Sequence, residues 1–270
     1  MAADYWQGKV VLVTGGSSGL GWTIVQAFAA RGTKIVIVGL EPEAVEAKTE
    51  ELRRRDVECL GLSGDIRRQE DVDRIFQETR ETFGGVDVLV NNAGRSMRGT
   101  LRSTTPEQFR DLMELNLIAL VRCTLAALPD LLARRGHVVN IGSLAAKSAA
   151  RFVGAYPASK HAVAAFSQQL RLELGPEGLH VLLVCPGPIA RDDARLYPLE
   201  NAENVPEEAR RPGGGVKVKA IRPEVLARRI VEACERRKPE IVMPAKARLL
   251  FAISQLSPRL GDWLIRKNTP

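Results

Sequence analysis

Cysteine is sparse in this chain. Cys59, Cys123, Cys185 and Cys234 lie far apart and form no C-x-x-C pair. Zinc-module and dithiol redox signatures are therefore missing, and no metal site is read from the sequence. Three of the four sit in apolar-rich segments, where cysteine behaves as a small buried hydrophobe. A reducing, cytoplasmic setting fits that usage. The start, MAADYWQGKV, has no basic stretch followed by an apolar run, so no signal peptide is expected. No uninterrupted apolar run approaches the length that spans a bilayer. Internal repeats and low-complexity tracts are missing as well. The net charge of +7 leans basic, yet Lys and Arg alternate with Asp and Glu along most of the chain. No nucleic-acid recognition motif accompanies the charge, so no nucleic-acid partner is expected.

What is present is ordinary globular material. The 270 residues are 45% hydrophobic and 26% charged, enough to bury a large core. KVVLVTG, KIVIVG, VECLGLSGD, VDVLVNNAG, GHVVNIGS and LHVLLVCPG read as six short apolar strands. Helical patterns separate them, at about Leu20–Arg31, Glu43–Arg55, up to Phe83, Pro106–Arg135 and Ala155–Leu174. Unbroken strand–helix alternation predicts an α/β fold, a Rossmann-like doubly wound parallel sheet with helices on both faces. The rhythm fails after Gly187. A polar flap is expected over about 190–219, then a helix from Pro223 to Arg237 and a short strand, EIVMP. The organisation expected is one domain over 1–244 and a C-terminal helical extension over 245–270.

Two motifs carry chemistry. TGGSSGLG, Thr14 to Gly21, stands where the first strand turns into a helix. Gly15, Gly19 and Gly21 allow a tight turn and close approach of a ligand. The helix N-terminus that follows offers free N–H groups and positive dipole, suited to a pyrophosphate. A tight βα connection with no ligand is the competing reading. YPASK puts Tyr156 and Lys160 four apart, on one face of a helix. A phenol ionises near pH ~10, and a cation close by stabilises the phenolate. An exposed surface pair is the plain alternative.

Together these motifs resemble the short-chain dehydrogenase/reductase family. TGGSSGLG is similar to its G-x-x-x-G-x-G cofactor turn, NNAG (Asn91 to Gly94) to its fourth-strand motif, and YPASK to its Y-x-x-x-K. Ser143, thirteen residues before Tyr156, and Asn116 in MELNLIA match the remaining positions. The resemblance spans about Lys9 to Gly187. It implies catalysis by Asn116, Ser143, Tyr156 and Lys160, with Tyr156 exchanging a proton while a nicotinamide cofactor exchanges hydride. It also implies a cofactor site. Gly15, Ser17, Ser18, Gly19, Leu20 and Gly21 form its turn, and Gly39 and Leu40 end the second strand. Asp65 and Ile66, and Asn92, Ala93 and Gly94, line it further. Tyr156, Lys160, Pro186, Gly187 and Ile189 complete it.

Cofactor choice is open at the second strand. Gly39 stands where NAD enzymes of the family carry Asp, and Leu40 where many NADP enzymes carry Arg. The missing acid tips the reading to NADP(H) over NAD(H), while Glu41 pulls the other way. Arg191, in PGPIAR, replaces the family's usual Thr. The family implies a ketone or secondary alcohol as small-molecule substrate, and a homodimer or homotetramer joined through the fourth and fifth helices. A cofactor-sensing protein without turnover, or an epimerase or dehydratase on the same scaffold, are the alternatives. The tail ARLLFAISQLSPRLGDWLIRK repeats apolar residues at helical spacing among Arg and Lys, with a split at Pro258. It either packs on the protein or lies on an anionic membrane, which would suit a lipid-like sphingoid or steroid substrate.

Overall fold

The computed structural model describes residues 5–190, 205–216 and 218–270. Seven strands form one parallel sheet: β1 (Val10–Thr14), β2 (Lys34–Gly39), β3 (Cys59–Ser63), β4 (Val88–Asn91), β5 (His137–Ile141), β6 (His180–Pro186) and β7 (Glu240–Met243). Their order is β3-β2-β1-β4-β5-β6-β7. The chain crosses over between β3 and β4, so the sheet has a switch point beside β1, where ligands of open α/β sheets bind. β1, β2, β4, β5 and β6 are almost wholly buried, as their unbroken Val, Ile and Leu content demands when both faces are covered.

Helices cover both faces. α1 (Gly19–Ala29) and α7 (Pro223–Glu235) pack on one side, with Ile24, Val25, Phe28, Leu226 and Ile230 against the sheet. α2 (Pro42–Arg53) joins that face through Val45 and Leu52. α3 (Gln69–Phe83), α4 (Pro106–Met113), α5 (Ala119–Ala133) and α6 (Tyr156–Leu174) lie opposite. There Val72, Phe76, Cys123, Ala127, Leu131 and Leu170 meet Leu12, Val36, Leu89 and Val138. Cys123, Cys185 and Cys234 are buried and Cys59 is half-buried.

The long helix over 106–133 and the split of the tail at Pro258 agree with the sequence reading, and two details go beyond it. α4 and α5 are joined by a π-helical turn, Glu114–Ile118, so residues 106–133 form one continuous helix of 28 residues. Its length, and a mean hydropathy of 1.6 over its most apolar 18-residue stretch, would suffice to cross a membrane, against the expectation of no such segment. The apolarity has a packing cause, since Ala119, Cys123, Ala127 and Leu131 press on the sheet. The tail forms a hairpin of α8 (Ala247–Leu256) and α9 (Pro258–Asn268). Gly261 makes the crossing tight, because a Cβ there would lie 2.7 Å from Ser254 Cα. Arg191 and half of the expected flap, residues 191–204 and 217, lie outside the described residues.

Candidate active site

The glycine turn joins β1 to α1. Gly15 (φ 63°) and Gly19 (φ 50°) adopt left-handed backbone that other residues rarely take. A Cβ on Gly19 would meet only open space, so the turn is exposed there to a ligand. A Cβ on Gly21 would lie 2.0 Å from the Gly15 carbonyl oxygen and 2.5 Å from Asn92 Nδ2. Gly21 is thus needed for the turn to close. Ser18 is the N-cap of α1 but its side chain accepts no capping bond, which leaves the first N–H groups of the helix, including that of Leu20, available to an anion. These features fit a dinucleotide pyrophosphate.

The turn is braced by the end of β4. Asn92 Nδ2 donates to the Thr14 and Gly15 carbonyls at 3.0 and 3.2 Å. The Thr14 hydroxyl accepts from the N–H groups of Asn92 and Ala93, both at 3.1 Å. Thr14 was missed in the sequence; its place before the glycines was the available signal. Gly94 faces Asn116, since a Cβ there would lie 2.8 Å from Asn116 Oδ1 and 3.6 Å from Lys160 Nζ.

Asn116 occupies the centre of the π-turn and is buried. Its Oδ1 accepts from the Arg95 N–H at 2.9 Å, and its Nδ2 donates to the Arg95 carbonyl and to Ser159 Oγ. The extra residue of a π-turn turns the side chain toward α6, a device common at functional sites. Lys160 is buried on α6, four residues after Tyr156. Its Nζ donates to the Ile141 carbonyl at 2.8 Å and stands 5.9 Å from the centroid of the Tyr156 ring. Burial pulls its pKa down to about 8. Ser143 follows β5, two residues after Ile141, and its Oγ accepts from the Ala145 N–H at 3.1 Å. The hydroxyl proton stays available to a substrate oxygen. α6 packs on the short 3-10 turn Leu144–Ala146 that Ser143 caps. Asn116, Gly94, Lys160, Tyr156 and the Ser143 segment therefore meet at the carboxyl edge of the sheet.

The outer cofactor positions vary. Gly39 is buried against α2 and the glycine turn, where a Cβ would lie 2.7 Å from Val45 Cγ2 and 2.8 Å from Ser17 Oγ. Leu40 is 59% exposed. Ile66 is a core residue. The Asp65 carboxylate is already engaged, since Arg67 Nε and Nη2 donate to it at 2.6–3.0 Å and hold its pKa low. Pro186 ends β6, the Gly187 N–H donates to the Met243 carbonyl, and Ile189 bridges to Ile221.

Comparison with known proteins agrees with this geometry. The model of the short chain dehydrogenase family matches residues 9–196. A ketoacyl reductase of Nostoc sp. is 27% identical over 96% of this chain and 88% of its own length. A family member 7-like protein of Drosophila melanogaster is 30% identical over 96% and 80%. The family member 7B of Xenopus tropicalis reaches 37% over 68% and 62%. Among solved structures, a short-chain dehydrogenase of Streptomyces avermitilis superposes with a TM-score of 0.79, 29% identity and coverage of 95% and 97%. The L-sorbose reductase of Gluconobacter frateurii, solved with NADPH and L-sorbose, gives 0.77, 26%, 90% and 97%. The chain belongs to the short-chain dehydrogenase/reductase family, and it is an oxidoreductase on a fold that binds a nicotinamide dinucleotide.

Proposed function

We propose that the protein interconverts a ketone and a secondary alcohol, with Tyr156 as general acid and base. The observation that carries this is the buried Lys160 ammonium, 5.9 Å from the Tyr156 ring centroid on the same helix. When bound, the dinucleotide supplies or accepts the hydride. Ser143 donates a hydrogen bond to the substrate oxygen. Tyr156 gives its phenolic proton to that oxygen in reduction and takes it back in oxidation. The Lys160 charge favours the phenolate between the two. Asn116 positions this set, holding the Arg95 backbone on one side and Ser159 of α6 on the other.

NADP(H) is favoured over NAD(H). A Cβ at position 39 would crowd Val45 Cγ2 and Ser17 Oγ, so the acid that NAD enzymes carry there is both missing and poorly accommodated. One relative is named a ketoacyl reductase, and one similar solved structure is an L-sorbose reductase complexed with NADPH and L-sorbose. A lipid-like ketone suits the tail, whose Leu249, Leu256, Leu260 and Trp263 are exposed among Arg248, Arg259, Arg266 and Lys267. That face fits an anionic membrane surface. The end of the tail is tied to the segment before α6, where Arg151 donates to the Thr269 carbonyl at 3.2 Å. Exposed Ile118 and Leu125 on the long 106–133 helix, and Leu172 on α6, favour a homo-oligomer through these helices.

The test is turnover of a ketone panel, including long-chain and 3-ketoacyl substrates, with NADPH and NADH in parallel. Faster turnover with NADPH is expected. Tight cofactor binding without turnover on any ketone would leave the sensing role instead.

A further inference from the structure

At the opposite end of the sheet from Tyr156, three metal-ligating side chains converge. His137 and His180 open β5 and β6 and stand opposite each other in the parallel register. Cys234 reaches them from the last turn of α7. One ligand atom from each, two imidazole nitrogens and the Sγ, lie within 4.8 Å of one another, and all three residues are buried. The six steps from His137 to Ser143 put this cluster about 20 Å from the catalytic edge at ~3.3 Å per residue. The chemistry proposed above uses none of them.

The hydrogen bonds fix the tautomers. The Lys238 carbonyl can only accept, so His180 Nε2 carries a hydrogen and donates to it at 2.8 Å. His180 Nδ1 is then a bare lone pair in a neutral ring, and it accepts from His137 Nδ1–H at 2.8 Å. His137 Nε2 is left to accept from the Tyr5 hydroxyl at 2.8 Å. One proton between the two Nδ1 atoms therefore separates this chain of bonds from a ligand set. If that proton moves to His137 Nε2, the Tyr5 hydroxyl turns to accept it. Two Nδ1 lone pairs are then free in a cluster whose ligand atoms, Cys234 Sγ included, lie within 4.8 Å of one another. Each imidazole keeps an oxygen behind its other nitrogen, as metal-bound histidines do.

We propose that His137, His180 and Cys234 bind a thiophilic divalent ion of the zinc class, with Tyr5 and the Lys238 carbonyl as outer partners. Two imidazoles and one thiolate are borderline-to-soft donors, suited to zinc rather than to magnesium or calcium. The proton balance is simple. The His137 proton moves from Nδ1 to Nε2, Tyr5 keeps its own, and the Cys234 thiol releases one. The two Nδ1 atoms part from 2.8 Å to the ~3.3 Å that tetrahedral Zn–N bonds of ~2.0–2.1 Å require, a small side-chain rotation. Water takes the fourth position. Glu235, next in the chain, is held by Trp6 Nε1 at 2.7 Å and Arg31 at 2.9 Å. An ion here ties β5, β6, α7 and the segment at Tyr5 together.

The test uses the full chain stripped of metal, with Cys59→Ser to remove the half-buried thiol. Cobalt(II) serves as the spectroscopic probe and zinc is followed by equilibrium dialysis. One ion per chain is expected, with tetrahedral cobalt bands and a thiolate-to-cobalt charge-transfer band. Tyr5→Phe should weaken zinc by ~10–100-fold, the range for outer-shell changes. Cys234→Ser should weaken it more and abolish the charge-transfer band. Absence of binding, or binding without that band, overturns the proposal on the parent protein alone, whatever the folding of the variants. Equal zinc uptake by folded Cys234→Ser overturns it too.

Discussion

Lys160 is a cation with almost no water around it. Burial brings its pKa from 10.5 down to about 8, so it keeps its charge through neutral pH and loses it above that value. The rate of ketone reduction at saturating cofactor should therefore fall as pH rises through about 8, read from a pH–rate profile. Asn116 is a positioning residue whose side chain makes three bonds. Asn116→Ala strands the Arg95 backbone and Ser159, and should lower stability by about 1–3 kcal/mol in urea unfolding. Tyr156, Lys160 and the glycines were legible because their signals are local: four residues on a helix, three glycines in a turn. The Arg67 clamp on Asp65 was not, since it forms only once the strand end is folded. The three residues at the far edge, His137, His180 and Cys234, are 43 and 54 positions apart in sequence, and only the strand register of the two histidines and the packing of α7 bring them together.

The decisive elements are the β1–α1 turn, the π-turn and the terminal hairpin. Gly21→Ala puts a methyl 2.0 Å from the Gly15 carbonyl. Backbone must shift there, and NADPH affinity should fall by at least tenfold, about 1.4 kcal/mol, in a fluorescence titration. Alternation of apolar strands and amphipathic helices made the layers legible. The π-turn at Glu114–Ile118 was not, because one extra residue in an apolar helix leaves the periodicity almost unchanged. The hairpin was legible as two helices split at Pro258, but not its exposed face. With Leu256 at 88% exposure, Leu256→Asp together with Trp263→Ala should reduce sedimentation with anionic vesicles several-fold. Unchanged sedimentation would return the hairpin to packing.

At the scale of the molecule, two buried histidines couple stability to pH. Burial lowers His137 to about 3 and His180 to about 4, while both titrate near ~6.5 when unfolded. The folded state resists protonation that the unfolded chain accepts. Their contribution is thus complete above pH ~6.5 and is lost as pH falls toward 4. Urea unfolding in chelator at pH 7 and pH 5 should show this loss, and His180→Asn should flatten it.

The central claim is that Tyr156 moves the proton. Its most direct measurement compares wild type and Tyr156→Phe, following nicotinamide absorbance with the best ketone of the panel. A ~10²–10⁴-fold slower rate in the variant, with cofactor binding unchanged, is the predicted result. Equal rates would contradict the account, because the proton would then come from elsewhere.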